Sequence, residues 1–123
     1  MQMSITFMKG EFYTYKDRRN LFLKPVGDVS LEVFESLSFF AENAPELKEF
    51  LYIDLSECGS LNETVKGLFY KFALHASGKN LKVTFANPQK KLVRELEESG
   101  LKGIADFKEM DLSMIPWENG KYI

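Results

Sequence analysis

Polar side chains that can do chemistry or make polar contacts are concentrated in residues 54–66. Carboxylates, hydroxyls, a thiol, an amide and an ammonium group follow one another closely there: Asp54, Ser56, Cys58, Ser60, Asn62, Glu63, Thr64 and Lys66. Nucleophilic catalysis needs a nucleophile, a base and a group that orients the base, and the sequence suggests no such set. Because His75 is the only histidine, a histidine-rich metal site is excluded. The segment therefore predicts a surface that contacts another molecule, with no catalytic residue, metal or cofactor.

The same residues also have ordinary structural explanations. Asp54 can be the polar end of a strand, and Asn62 is a favourable helix N-cap. Glu63 would stabilise the first turn of a helix by about 0.3–1 kcal/mol. An exposed Thr64 hydroxyl in that turn is usually inert. Cys58 can be a reactive thiolate beside a helix N-terminus or a packed thiol, and both interpretations stay open.

These residues follow a predicted buried strand and lead into a predicted helix. Residues 50–53 are continuously apolar, which is typical of a strand covered on both faces. A loop at residues 55–61 follows, and the pattern then predicts a helix from residue 63 to about residue 77, closed by Gly78. Binding sites in open α/β sheets lie at the carboxyl ends of parallel strands. We therefore expect the loop and the helix start to form the functional surface.

Upstream, the chain predicts a hairpin and a first helix. Strands at residues 11–16 and 20–26 flank a polar turn. Ser30 can cap a helix that runs to about residue 43, with Pro45 marking the exit. The inner face of this helix would consist of apolar residues at helical spacing: Val33, Phe34, Leu37, Phe40, Ala41 and Ala44.

Downstream, the chain predicts a strand, a helix and a short final strand. Residues 81–85 alternate between apolar and polar types, which indicates a strand with one drier and one wetter face. Asn87 would cap the next helix, with Pro88 at its first position and Gly100 after its last residue. Residues 104–107 would form the last strand.

The order of these elements predicts an α/β fold. Strand–helix–strand connections are nearly always right-handed and give neighbouring parallel strands, whereas the hairpin makes the first strand antiparallel. We expect a small mixed, mostly parallel sheet of four to five strands with three to four helices packed on it. Residues 1–123 would form a single domain, and a tail at residues 110–123 should dock back because it contains Met114, Ile115 and Trp117.

Length, charge and composition exclude several classes of function. The 123 residues carry a formal net charge of −2, so no overall field would hold nucleic acid or an anionic membrane. The sequence lacks a signal peptide, and no apolar run approaches the roughly 18 residues of a membrane span. One cysteine allows no intrachain disulfide, which suits a reducing compartment. The cytoplasm is therefore the expected location.

The order and spacing of several motifs resemble the STAS domain family, which includes bacterial anti-sigma-factor antagonists. Asp54-Leu55-Ser56 matches the family's apolar strand that ends in Asp-Leu-Ser. Asn62-Glu63-Thr64 falls where the family has Asp-Ser-Ser at a helix start, and Gly67 falls on the second glycine that follows. Three further similarities extend the match over residues 20–107: Val26-Gly27-Asp28-Val29, Gly78-Lys79-Asn80-Leu81, and Glu95-Leu96 to Gly100-Leu101.

This resemblance implies a non-enzymatic regulatory module that binds other proteins. In family members that switch partners, a kinase phosphorylates the first Ser of that helix start. The unphosphorylated form binds the kinase or an anti-sigma factor, and the phosphorylated form releases it. A phosphate adds about −1.5 to −2 charges, which a helix N-terminus accommodates but an interface with an acidic partner does not.

The sequence departs from the family at the switch position, where Glu63 replaces the phosphorylated Ser. A carboxylate cannot accept a phosphoryl group as a hydroxyl does, so Glu63 supplies a fixed negative charge that partly imitates the phosphorylated state. Thr64 keeps a hydroxyl at the second Ser, and Val65 replaces the first glycine. The implied partner is an anti-sigma factor, a serine-kinase-type protein or another signalling protein.

Two other functions stay open. Some stand-alone STAS proteins are non-catalytic subunits that bind the ATPase of an ABC-type lipid transporter, with a Thr at the helix start. Thr64, Phe39 or Tyr70 could serve such a contact. A nucleotide-binding or hydrolytic enzyme is the other alternative, but no glycine-rich phosphate-binding motif supports it.

Overall fold

The computed structural model of the protein describes residues 11–42 and 49–119, without the side chains of residues 11, 36–38 and 40–42. The strands in this part of the chain are β1 (Glu11–Lys16), β2 (Asn20–Val29), β3 (Phe50–Asp54), β4 (Cys58–Leu61), β5 (Lys82–Ala86), β6 (Asp106–Lys108) and β7 (Glu118–Asn119). The helices are α1 (Leu31–Glu42), α2 (Glu63–Gly78) and α3 (Lys90–Leu96), and a π-helical turn, Glu97–Leu101, continues α3.

The strands form a mixed, mostly parallel sheet. Their order is β6-β5-β3-β2-β1-β7, and β4 lies beside the end of β2. β2, β3, β5 and β6 run parallel to one another, and β4 is parallel to β2, whereas β1 is antiparallel to β2 and β7. The predicted sheet type and hairpin are confirmed. Within residues 11–42 and 49–119 the sheet has seven strands instead of four to five, because β4 and β7 are short strands that form only against distant partners.

Helices cover one face of the sheet and enclose the main core. Leu23 of β2, Ile53 of β3 and Phe85 of β5 are completely buried there. Phe69 of α2 packs edge-on against Phe34 of α1 at 5.1 Å and against Phe85 at 5.9 Å between ring centroids. Side chains that alternate along a strand point to opposite faces, so this core uses every second residue of each strand.

The first helix begins where the sequence predicts. The Ser30 hydroxyl accepts a hydrogen bond from the Val33 amide at 3.2 Å, and this cap fixes the start of α1. Val33 and Phe34 face the core. The other predicted inner-face side chains, together with the predicted end near residue 43 and Pro45, lie outside the described residues: Leu37, Phe40, Ala41 and Ala44.

A second apolar cluster covers the opposite face of the sheet. Phe22, Ala86 and Leu112 are buried in it, and the partly buried side chains around them are Tyr15, Tyr52, Met110, Ile115 and Trp117. The Phe22 ring stacks on Tyr52 at 5.1 Å and meets Trp117 edge-on at 6.3 Å. Residues 110–117 therefore cross this face, and β7 then pairs with β1 at the edge of the sheet.

The expectation of a wetter face on β5 is wrong for Thr84, whereas Lys82 on the same face is exposed. Thr84 is only 3% exposed, and all residues from Val83 to Ala86 are buried. The second cluster covers the face that Thr84 shares with Ala86. Alternation in one sequence cannot reveal this, because the covering residues lie far along the chain.

Some predicted boundaries are also corrected. The loop at residues 55–61 contains β4, because Cys58 and Leu61 pair with the end of β2. The third helix starts at Lys90 with Gln89 as N-cap, so Asn87 does not cap it. Gly78 belongs to α2, and Asn80 is the residue after this helix with a positive φ, 65°. The φ of 106° at Gly100 interrupts the helical conformation where the sequence predicts, although the π-helical turn extends to Leu101.

Candidate functional site

The amino end of α2 lies at the carboxyl ends of the parallel strands, as predicted. The Asn62 side-chain oxygen accepts a hydrogen bond from the Val65 amide at 2.8 Å, so Asn62 is the N-cap. Its carbonyl accepts from the Lys66 amide at 3.0 Å, which starts the helical ladder. Ser60, Asn62, Glu63, Thr64 and Lys66 form what we call the α2 N-terminal surface. Their side chains are exposed, except that Lys66 is partly covered.

Glu63 occupies the first position of α2, and its side chain is 82% exposed. The Lys66 ammonium lies 3.4 Å from a Glu63 carboxylate oxygen and 3.2 Å from a Glu95 carboxylate oxygen. These two carboxylates, Glu95 more than Glu63, raise the pKa of Lys66 above its ordinary value. Lys66 thus forms ion pairs with Glu63 of α2 and with Glu95 of α3, and its ammonium group stays protonated. Thr64 is exposed beside them.

Ser60 joins the α2 N-terminal surface to the end of β2. The Asp28 carboxylate accepts hydrogen bonds from the Ser60 amide at 2.9 Å and from the Ser60 hydroxyl at 3.1 Å. These bonds lower the pKa of Asp28, with the backbone bond contributing most. Gly59 lies so close that an added Cβ would overlap the Asp28 carboxylate. Sequence reasoning did not place Asp28 in the site, because its partner is distant in the chain.

The Asp54 side chain is buried and is not presented at the surface. It is 3% exposed, and one carboxylate oxygen accepts from the Ser56 amide at 3.0 Å and from the Asn87 side-chain amide at 3.4 Å. Asn87 has a φ of 55°, and its side-chain oxygen accepts from the Met110 amide at 2.8 Å. The buried Asp54 carboxylate therefore stabilises the loop that follows β3, which fits the polar end of a strand better than a side chain presented to a partner.

Cys58 is also a core residue. Its side chain is 1% exposed and belongs to the main buried cluster. Burial, with a smaller contribution from the Asp28 carboxylate, raises the pKa of the thiol to about 11. A thiol that keeps its proton at neutral pH is a poor nucleophile. Of the two roles left open by the sequence, this environment favours the packed thiol, and Cys58 presents no side chain to a partner.

Ser56 and Glu57 form the exposed tip between β3 and β4. The Glu57 carboxylate lies 2.7 Å from the Lys24 ammonium, and the Glu57 carbonyl accepts from the Gly27 amide at 2.9 Å. Sequence reasoning missed both Glu57 and Lys24. A polar residue on a strand and another in a loop give no local signal that they meet.

The described residues contain no group of three or more His, Cys, Asp or Glu side chains that could hold a metal ion. His75 is exposed near the end of α2. No helix in the described part of the chain is long and apolar enough to span a bilayer.

Comparison with solved structures identifies the fold. No protein-family model matches the chain, and no curated protein matches it. Among the solved structures that resemble it is an uncharacterized protein of the DUF3478 family from Shewanella loihica PV-4, described as having a SpoIIAA-like fold. The TM-score is 0.58 with 19% sequence identity, over 83% of this chain and 87% of that one. The fold that the resemblance to STAS domains implies is thereby confirmed: the chain has a SpoIIAA-like fold.

Proposed function

We propose that the protein is a non-catalytic regulatory module that binds another protein through the α2 N-terminal surface. The observation that carries this proposal is the position of Glu63. It is the first residue of α2, its side chain is 82% exposed, and it lies at the carboxyl ends of the parallel strands in a SpoIIAA-like fold. We also include Ser56, which is exposed at the tip between β3 and β4, in the proposed contact.

Electrostatics explains how Glu63 would act there. Orphan amide groups and the positive end of the helix dipole favour a negative charge at the first turn. A phosphoserine at this position would bring about −1.5 to −2 charges, whereas the carboxylate brings one permanent charge to the same place. Lys66 and Glu95 hold this charge in an ion-pair network. A partner would therefore always meet a charged surface, and Glu63 would determine which partner is accepted.

The partner we propose is an anti-sigma factor, a serine-kinase-type protein or a related signalling protein of the cytoplasm. Thr64 offers a second site for modification, because its exposed hydroxyl lies beside Glu63 in the first turn of α2. A phosphate on Thr64 would add to the negative charge of Glu63 and change the affinity for a charged partner.

Affinity purification from the source organism, followed by binding measurements with the purified partner, tests the proposal. We expect Glu63→Lys to weaken binding at least about tenfold, because it reverses the charge at the centre of the contact. Glu63→Ser should become a substrate of a partner that is a serine kinase. Glu63→Ser/Thr64→Ala, compared with Thr64→Ala alone, then identifies which hydroxyl accepts the phosphate.

Glu98→Gln is the matched control, because Glu98 is exposed beyond the end of α3. It should bind the partner with the affinity of the wild type. Unchanged binding by Glu63→Lys, together with no phosphorylation of Glu63→Ser, would contradict the proposal. Recovery of an ABC-type ATPase as the specific partner would instead favour the transport-complex alternative, with Thr64 in the contact.

A further inference from the structure

The segment at residues 109–119, which we call the C-terminal strap, lies across the face of the sheet that carries the second apolar cluster. At its start, the Met110 amide donates to the Asn87 side-chain oxygen at 2.8 Å. In its middle, Leu112 is 8% exposed, and Trp117 packs against Phe22. At its end, Glu118 and Asn119 pair with β1. The C-terminal strap therefore spans from the end of β5 to the far edge of the sheet.

Lys24 connects the C-terminal strap to the tip between β3 and β4. Its ammonium lies 2.7 Å from the Glu57 carboxylate and 5.5 Å from the centroid of the Trp117 ring. The Lys24 side chain is 16% exposed, whereas that of Glu57 is 56% exposed. A covered ammonium group depends on its partners, since little water replaces them. Glu57 is thus the accessible end of a three-residue contact whose other end is the C-terminal strap.

A second set of polar contacts joins the same two segments. Asp54 accepts from the Ser56 amide and from the Asn87 side chain, and Asn87 accepts from the Met110 amide. Asp54 is 3% exposed, so this set lies beneath the surface. The tip and the C-terminal strap are therefore joined twice, once through Lys24 and once through Asp54 and Asn87.

We propose that the C-terminal strap is a conformational element coupled to the tip between β3 and β4 through Lys24. A group that pairs with Glu57 from outside draws its carboxylate away from Lys24, and the ammonium then moves away from the Trp117 ring. The strap is held less firmly, and loosening the strap loosens the tip to the same extent, because coupling between two sites is reciprocal. The coupling is a property of the folded chain and requires no partner. Its use by a partner rests on the proposed function.

Residue-resolved amide hydrogen exchange by NMR tests this coupling without any partner. Glu57→Gln should accelerate exchange of the strap amides of Met110, Ile115 and Trp117 by about three- to tenfold, since it removes a charge-assisted contact of Lys24. Conversely, Trp117→Leu should accelerate exchange of the Gly27 amide, which donates to the Glu57 carbonyl. In a Lys24→Met background, Glu57→Gln should have no further effect on the strap.

Lys82→Met is the matched control. Lys82 is also a lysine on the sheet, but it pairs with Asp106 at 3.5 Å, and both side chains are more than half exposed. This variant should leave strap exchange unchanged. If Glu57→Gln changes exchange only at the tip, or if Trp117→Leu leaves Gly27 unaffected, the coupling is refuted. That result would leave the proposed function standing, because partner binding at Glu63 is measured separately.

Discussion

At the residue scale, Glu63 and Cys58 lie close in the chain and in opposite environments. The Glu63 side chain is 82% exposed, whereas Cys58 is 1% exposed. β4 directs Cys58 and Leu61 into the core and leaves Gly59 and Ser60 at the surface. The direction of each side chain, rather than its residue type, therefore decides which residues of this segment can meet a partner.

Cys58 gives the folded state a measurable alkaline sensitivity. Burial raises the pKa of its thiol from 9.0 to about 11. Between these values the folded chain keeps a proton that the unfolded chain has lost, so the free energy of unfolding falls as pH rises. The full loss is about 3 kcal/mol. Urea unfolding at about pH 8 and about pH 10.5 measures the part of this loss that falls within the interval.

Cys58→Ala serves as the reference for other alkaline effects, because it lacks the thiol and keeps the remaining titrating groups. We expect the wild type to lose more stability than Cys58→Ala over this pH interval. Equal losses in the two proteins would mean that the thiol ionises as easily in the folded chain as in the unfolded one.

At the element scale, Gly100 and Gly67 differ in whether the packing around α2 leaves space for a side chain. Gly100 has a φ of 106°, and a Cβ there would lie 2.8 Å from the Tyr70 ring of α2. Gly67 lies within α2, and a Cβ there would meet no atom within 4 Å. Gly100 is therefore needed for both its backbone conformation and its contact, whereas Gly67 is needed for neither.

Alanine at these two positions should change stability in opposite directions. Gly100→Ala should destabilise the protein by about 1–3 kcal/mol, through the positive φ and the overlap with Tyr70. Gly67→Ala should stabilise it by up to about 1 kcal/mol, because alanine restricts the unfolded chain and favours the helix. Urea midpoints of both variants measure these effects, and a stabilising Gly100→Ala would contradict the described approach of α3 to α2.

At the scale of the whole molecule, one sheet separates two apolar clusters. The helices bury one face, and the C-terminal strap with its aromatic contacts buries the central part of the other. Because neighbouring residues of β2, such as Phe22 and Leu23, belong to different clusters, loss of one cluster exposes the strand that supports the other. Strap and sheet should therefore unfold together.

Trp117 makes this expectation measurable, because it is the chain's single tryptophan. Its fluorescence reports the strap, whereas far-UV circular dichroism reports the helices and the sheet. We expect both signals to give one common urea transition, as two-state unfolding requires. A fluorescence transition at lower urea than the circular dichroism transition would show that the strap detaches before the sheet unfolds.

Local patterns were sufficient to predict much of the structure. Strand β3 follows from its apolar run, and the starts of α1 and α2 follow from the caps Ser30 and Asn62, both of which form the expected hydrogen bonds. These features can be predicted from the sequence because a helix cap or a periodic pattern of apolar residues depends on residues within a few positions of one another. The same reasoning placed Glu63 at a helix start.

Tertiary structure alone decided the features that need distant partners. β4 exists because its residues meet the end of β2, and Thr84 is buried on the face of the sheet that the C-terminal strap crosses. Asn87 became a link between Asp54 and Met110 instead of a helix cap. The sequence thus determined the helices and strands through interactions between residues a few positions apart. Contacts between segments distant in the chain determined which side chains are exposed and which are buried.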